Sequence, residues 1–70
     1  MKRLGVVSWF SDPKGFGFII DEAEGFDVYV HYSQVRRQGF LTLSPGERVS
    51  YILKDEDGAC KAEEVDILPA

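Results

Sequence analysis

The run Lys14-Gly15-Phe16-Gly17-Phe18-Ile19 sets two flat rings and a cation close together in the chain. Along an extended strand successive side chains point to opposite faces, so Phe16 and Phe18 share one face and Gly15 and Gly17 the other. A second run, Val28-Tyr29-Val30-His31-Tyr32, alternates in the same way. If its valines turn inward, Tyr29 and His31 turn outward. Two neighbouring strands of this kind would present Phe16, Phe18, Tyr29 and His31 on one surface, with Lys14 at its end. Rings beside a cation suit single-stranded nucleic acid, because every base has a stackable face and stacking contributes roughly 1–3 kcal/mol per base. The competing reading puts Phe16 and Phe18 in the core. Against it stand the aliphatic residues Val6, Val7, Ile19, Ile20, Val28, Val30, Val49, Ile52, Leu53, Val65 and Ile67, which suffice to fill a small barrel.

Other chemistry finds little footing. His31 is the sole histidine and Cys60 the sole cysteine, which rules out a catalytic triad with a spare base and leaves no set of soft ligands for a closed metal site. Asp55, Asp57, Gly58 and Glu64 match parts of a calcium loop, but its first ligand position would be Leu53. A solvated hairpin tip is the better reading. Neither a nucleophile elbow nor a phosphate-cradling loop ending in Lys-Ser/Thr occurs. The expectation is a binding protein with no catalytic residues, metal or cofactor.

The elements that must position these residues are short. Seventy residues make one small domain, since a chain of this size buries only about 60% of its unfolded surface. A composition of 44% hydrophobic and 29% charged residues excludes a disordered chain. Turn signals at Ser11-Asp12-Pro13, Glu24-Gly25, Ser44-Pro45-Gly46 and Asp57-Gly58 separate five candidate strands: Leu4 to Phe10, Gly15 to Ile20, Asp27 to His31, Glu47 to Lys54 and Lys61 to Ile67. Asp57-Gly58 is a favoured two-residue hairpin turn, so the last two strands should pair antiparallel. Between Tyr32 and Gly46 the pattern predicts a long crossing loop, with Ser33 capping at most one turn through Gln34-Val35-Arg36. A single sheet of five strands buries a face and loses its edges by closing into a barrel.

Periodicity leaves Trp9 open, because strict alternation places it on the same face as Val7. Tyr51 alternates with Val49 and Leu53 and belongs to the core. Phe26, at a loop end, reads equally as a loop anchor or a ligand contact, and Arg36-Arg37 reads as an ordinary solvated pair. A lone cysteine fits a reducing cytoplasm, and no export or membrane segment is visible. The net charge of −4 opposes a polyanionic partner at long range. Cations must therefore be local to the site: Lys14 first, with Lys2, Arg3, Arg36, Arg37 and Lys61 as further candidates.

Four segments, Gly5-Val6-Val7-Ser8-Trp9-Phe10, Lys14 to Ile19, Asp27-Val28-Tyr29-Val30-His31-Tyr32-Ser33 and Gly39-Phe40-Leu41-Thr42-Leu43, resemble in order the signatures of bacterial cold-shock proteins. The resemblance runs from about Gly5 to about Val65 and implies an all-β, small five-stranded antiparallel barrel of the oligonucleotide-binding (OB-fold) type. It implies binding of single-stranded RNA and DNA with little sequence discrimination, as an RNA chaperone. Residues 1–70 are expected to be a single cold-shock domain, monomeric, with strand exchange as the route to a dimer. Carried over by position, the base-stacking and contact residues fall on Trp9, Lys14, Phe16, Phe18, Tyr29, His31, Tyr32 and Phe40, with Phe10 and Asp27 as lesser matches. The chain departs from the pattern where Val6 and Ser8 replace family lysines, where Cys60-Lys61 replaces a Pro-Gln pair, and in the acidic Glu63-Glu64.

Two other binding modules share parts of the pattern. An RNA-recognition motif has a similar Lys-Gly-Phe-Gly-Phe string but needs two amphipathic helices, for which no periodicity exists here. A peptide-binding barrel would turn the same aromatic face to a proline-rich segment.

Overall fold

In the computed structural model, which describes residues 2–36 and 43–69, the chain is built of strands. They are β1 (Lys2–Ser11), β2 (Phe16–Asp21), β3 (Asp27–His31), a two-residue β4 (Val35–Arg36), β5 (Arg48–Glu56) and β6 (Ala59–Ile67). Neighbours run β3-β2-β1-β5-β6-β4, and a further β3–β6 pairing closes the sheet into a barrel. The five long strands are those expected, with several ends extended by one or two residues and β2 and β5 each beginning one residue later. Their long pairings are antiparallel, whereas the β3–β6 closure and the β4–β6 pairing are parallel.

Turn chemistry accounts for the β5–β6 hairpin. Asp57 and Gly58 have φ of 51° and 76°, and Glu56 pairs with Ala59 across them. Positive φ at both central residues matches the twist of the flanking strands. The single turn after β3 differs from expectation. It is a 3-10 turn over Tyr32–Gln34, and His31 caps it by accepting a hydrogen bond from the Ser33 backbone N–H. His31 remains extended and keeps its side chain at the turn mouth, which displaces Ser33 from the capping role. Val35 and Arg36 then return to strand geometry beside β6. The rest of the predicted crossing loop, including Arg37 and Phe40, lies largely outside the described residues.

The core contains Val7, Ile19, Val28, Val30, Val35, Leu43, Val49, Tyr51, Ala62 and Val65. Ile20 is not part of it: this residue is 39% exposed, because alternation along β2 sends Ile19 inward and Ile20 outward with Phe16 and Phe18. Val6 and Ile52 are half-buried, and Leu53 and Ile67 pack against the core from its margin. Tyr51 is fully buried, as its alternation predicts.

Gly17 permits the closest approach between β1 and β2. A Cβ built there would stand 2.2 Å from the Trp9 carbonyl oxygen and 2.7 Å from Phe10 Cα. Gly17, between the two phenylalanines, therefore serves the inner face, where backbone meets backbone, while the rings occupy the outer one. Gly15 instead lies in the turn before β2 at φ of 75°, where a Cβ would meet the Tyr32 ring at 2.6 Å.

Candidate nucleic-acid interface

Three adjacent strands supply the aromatic surface. In the β2–β3 ladder Phe16 pairs with His31 and Phe18 with Tyr29, and in the β1–β2 ladder Trp9 pairs with Phe18. The last pairing depends on a bulge. Val7 faces Ile19 and Trp9 faces Phe18, so Ser8 is an extra residue on β1. A bulge of this kind flips the alternation of the strand that follows it. Val7 consequently points inward and Trp9 outward, at 43% exposure. Phe10, opposite Gly17, packs against the core instead.

The rings touch one another and leave their outer faces to solvent. The Trp9 centroid lies 5.6 Å from Phe16 and 5.5 Å from Phe18. Tyr29 stacks on Phe16 at 5.8 Å and meets Phe18 edge-on at 6.0 Å. His31 and Tyr32 form a second pair at 4.5 Å. Phe16, Phe18, Tyr29 and His31 are half-buried, and Tyr32 is 45% exposed. Mutual contact anchors each ring without burying it, so the surface is ordered before any ligand arrives. His31 Nδ1 lies 2.8 Å from Ser33 Oγ and accepts from the Ser33 N–H, which in the neutral ring places the proton on Nε2. A backbone hydrogen bond from Tyr32 N–H to the Gly15 carbonyl, 2.9 Å, ties the end of β3 to the β1–β2 turn. Lys14, on that turn, shares a shallow concavity with Tyr32.

Electrostatics separate the candidate cations. Lys2 pairs with Asp66 at 2.6 Å, Arg3 with Asp21 and Glu24, Arg36 with Asp66 and Glu64, and Arg48 with Glu22. Hydrogen bonds from Arg36 and then Lys2 hold the Asp66 carboxyl well below the usual carboxylate range. Arg36 is thus exposed, as expected of a solvated residue, but ion-paired within a charge network rather than free. Lys14, Lys54 and Lys61 have no ion-pair partner among the described residues. Lys61 is an unpaired cation that sequence reasoning placed only among its further candidates. The β3–β6 closure sets it directly opposite Tyr29, and a parallel closure between strands so far apart in the chain leaves no local signal. Phe26 packs against the core under the Arg3 guanidinium, 5.5 Å from its ring centroid, which is the anchor reading of that residue. Asp27, a lesser match, is exposed at the start of β3, while Phe40 lies outside the described residues.

Among the described residues, no group of three or more His, Cys, Asp or Glu side chains is placed to hold a metal ion. Nor is any helix among them long and apolar enough to cross a membrane.

Known proteins are similar to this chain in sequence and in fold. The family model of the "Cold-shock" DNA-binding domain matches residues 3–68. Cold shock protein CapB of Pseudomonas syringae is 39% identical over 67 residues, covering 96% of both chains. Cold shock protein CspV of Vibrio cholerae is 45% identical over 53 residues, 76% of both chains. Protein lin-28 of Caenorhabditis elegans is 47% identical over 54 residues, 77% of this chain and 24% of that one. Among solved structures, Drosophila Unr CSD456 superposes with a TM-score of 0.83 at 16% identity, over 99% of this chain and 27% of that chain, a likeness of fold. With its five long strands closed in the same way and the family model spanning nearly its whole length, this chain belongs to the cold-shock domain family of nucleic-acid-binding proteins.

Proposed function

We propose that this chain is a single cold-shock domain that binds single-stranded RNA and DNA, stacking bases on Trp9, Phe16, Phe18, Tyr29, His31 and Tyr32, with Phe40 added on the family resemblance alone. The observation that carries this reading is the ordered outward surface of rings drawn from three neighbouring strands. Stacking is tolerant of sequence, and a base held on a ring is withdrawn from pairing. The protein accordingly acts as a monomeric RNA chaperone in the cytoplasm, able to influence transcription or translation, and not as an enzyme. Titrating Trp9 fluorescence with a pyrimidine-rich oligonucleotide and with a proline-rich peptide tests it. A response to the peptide alone would replace nucleic acid with a protein partner.

Phe18→Ala is expected to weaken oligonucleotide binding by about 1–3 kcal/mol. Its effect on stability should be smaller than the roughly 3–5 kcal/mol of a core phenylalanine truncation, since Phe18 is half-buried. Thermal unfolding and binding on the same variant separate the two. A large stability loss with binding intact among folded molecules would make Phe18 a core residue.

Salt dependence should be shallow. Lys14, Lys54 and Lys61 are the cations left unpaired among the described residues, and each phosphate neutralised on a single strand contributes roughly −0.7 to the slope of log affinity against log salt. Two or three contacts give a slope of about −1.5 to −2 by the same rule. Ser8 is exposed at the β1 bulge, so Ser8→Lys should tighten binding and steepen the slope. A wild-type slope steeper than about −4, some six contacts, would place most of the binding on a basic surface away from the rings.

A further inference from the structure

Where β3 meets β6, Tyr29 faces Lys61 across the closure. A concavity of about 300 Å³ opens at this seam, and Tyr29, His31, Gln34, Glu56, Lys61 and Glu63 contribute to its walls. It adjoins the stacking surface, because Tyr29 is in ring contact with both Phe16 and Phe18. Its three charged groups are uncommitted among the described residues. Lys61, Glu56 and Glu63 take part in no ion pair or side-chain hydrogen bond with the described residues. The Gln34 carbonyl oxygen accepts from the Glu64 backbone N–H at 3.4 Å, and its amide N–H groups have no partner among the described residues. Lys61 and Glu63 are two apart on β6 with buried Ala62 between them, so both side chains stand on the outer face.

Carboxylates beside the path of a polyanion repel its phosphates. They become favourable where a base offers them N–H groups, since a carboxylate has two acceptor oxygens side by side and no donor. Guanine carries two neighbouring donors on its Watson–Crick edge, N1–H and the N2 amino group, with the O6 acceptor alongside. Cytosine and adenine offer one amino group next to a ring acceptor, and uracil and thymine one imide N–H between two carbonyls. Half-buried Glu63 and the Lys61 ammonium beside it supply the complement of the guanine edge: paired acceptors, then a donor. Glu56 is exposed at the rim and has less to gain.

We infer that the β3–β6 seam is a guanine-reading subsite at the margin of an otherwise sequence-tolerant surface, in which Glu63 accepts from N1–H and N2–H and Lys61 donates to O6. This rests on the single-strand reading above. The test uses fluorescence anisotropy with a short all-thymine strand and a set in which one guanine replaces thymine at each position in turn. One position is expected to bind about 5- to 30-fold tighter than the all-thymine strand. Inosine at that position, which lacks the N2 amino group, should lose most of the gain, and cytosine there should not reproduce it. Glu63→Gln should abolish the gain while leaving the all-thymine affinity unchanged or slightly raised. The inference is overturned if no position favours guanine, if inosine or cytosine equals it, or if Glu63→Gln tightens every strand alike, the mark of a carboxylate that only repels. In each of those cases the all-thymine strand still binds and the stacking reading stands. Failure of the all-thymine strand to bind at all would remove both.

Discussion

Gly17→Ala is expected to destabilise the barrel by about 3 kcal/mol or more, at or beyond the upper end of the usual range for overpacking. The added Cβ would meet the Trp9 carbonyl oxygen at 2.2 Å and Phe10 Cα at 2.7 Å. Both are backbone atoms, which cannot rotate aside as a flexible side chain would. Relief requires β1 and β2 to separate where Trp9 pairs with Phe18 and Phe10 with Gly17. That movement widens the 5.5 Å contact between the Trp9 and Phe18 rings, so oligonucleotide affinity should fall in the molecules that remain folded. Denaturant unfolding together with binding at a temperature where the variant is folded measures both effects. Wild-type stability and affinity would show that the strands have room to spare at this point and that Gly17 is not required by close approach.

The same pairing shows what could be read from residue order and what could not. Alternation gives Phe16 with Phe18 and Tyr29 with His31 on shared faces, the supply of aliphatic residues turns those faces outward, and the β2–β3 ladder joins them into one surface. For Trp9 alternation is ambiguous, because the bulge at Ser8 is a feature of the partnership between two strands and leaves no mark in either strand alone. Ile20 was legible in the same pattern that exposed Phe18, yet counting aliphatic residues as core assigned it inward. Val35, Leu43 and Ala62 went unnoticed as core residues because two lie in or beside the segment that shows no alternation, and the third is too small to register as apolar mass. The ion pairs were beyond reach for another reason. Lys2 with Asp66 and Arg3 with Asp21 join residues far apart in the chain, and only the register of β1 against its neighbours decides which cations are consumed in structure and which remain for a ligand.

Asp21→Ala should lower stability by about 2–4 kcal/mol, a large share of the few to ten or so expected for a domain of this size. The Asp21 side chain is fully buried at the centre of a network. Arg3 donates to both of its oxygens, at 2.9 and 3.0 Å, the Glu24 backbone N–H donates at 3.0 Å, and the buried Tyr51 hydroxyl donates to Oδ1. Removing the carboxylate leaves the Tyr51 hydroxyl without its acceptor in the core and frees the β2–β3 turn. Arg3 keeps Glu24 and some solvent contact, which holds the loss below that of a fully enclosed pair. The pH dependence carries the sign. Arg3, and more weakly the Tyr51 hydroxyl, keep the Asp21 carboxyl well below the usual carboxylate range despite its burial. A depressed carboxyl stabilises the fold fully above its unfolded pKa of about 3.9 and loses that contribution as pH falls toward the lower folded value. Wild-type stability should therefore be level near neutrality and decline below about pH 4. In Asp21→Asn, which keeps an acceptor for Tyr51 but no titrating group, stability at neutral pH should be lower and its decline in acid shallower, Asp66 supplying part of what remains. Urea unfolding of both proteins at neutral pH and at about pH 3 resolves this. Parallel losses in the two proteins on acidification would mean that the acid sensitivity of the barrel arises at other carboxylates and that Asp21 contributes through shape rather than charge.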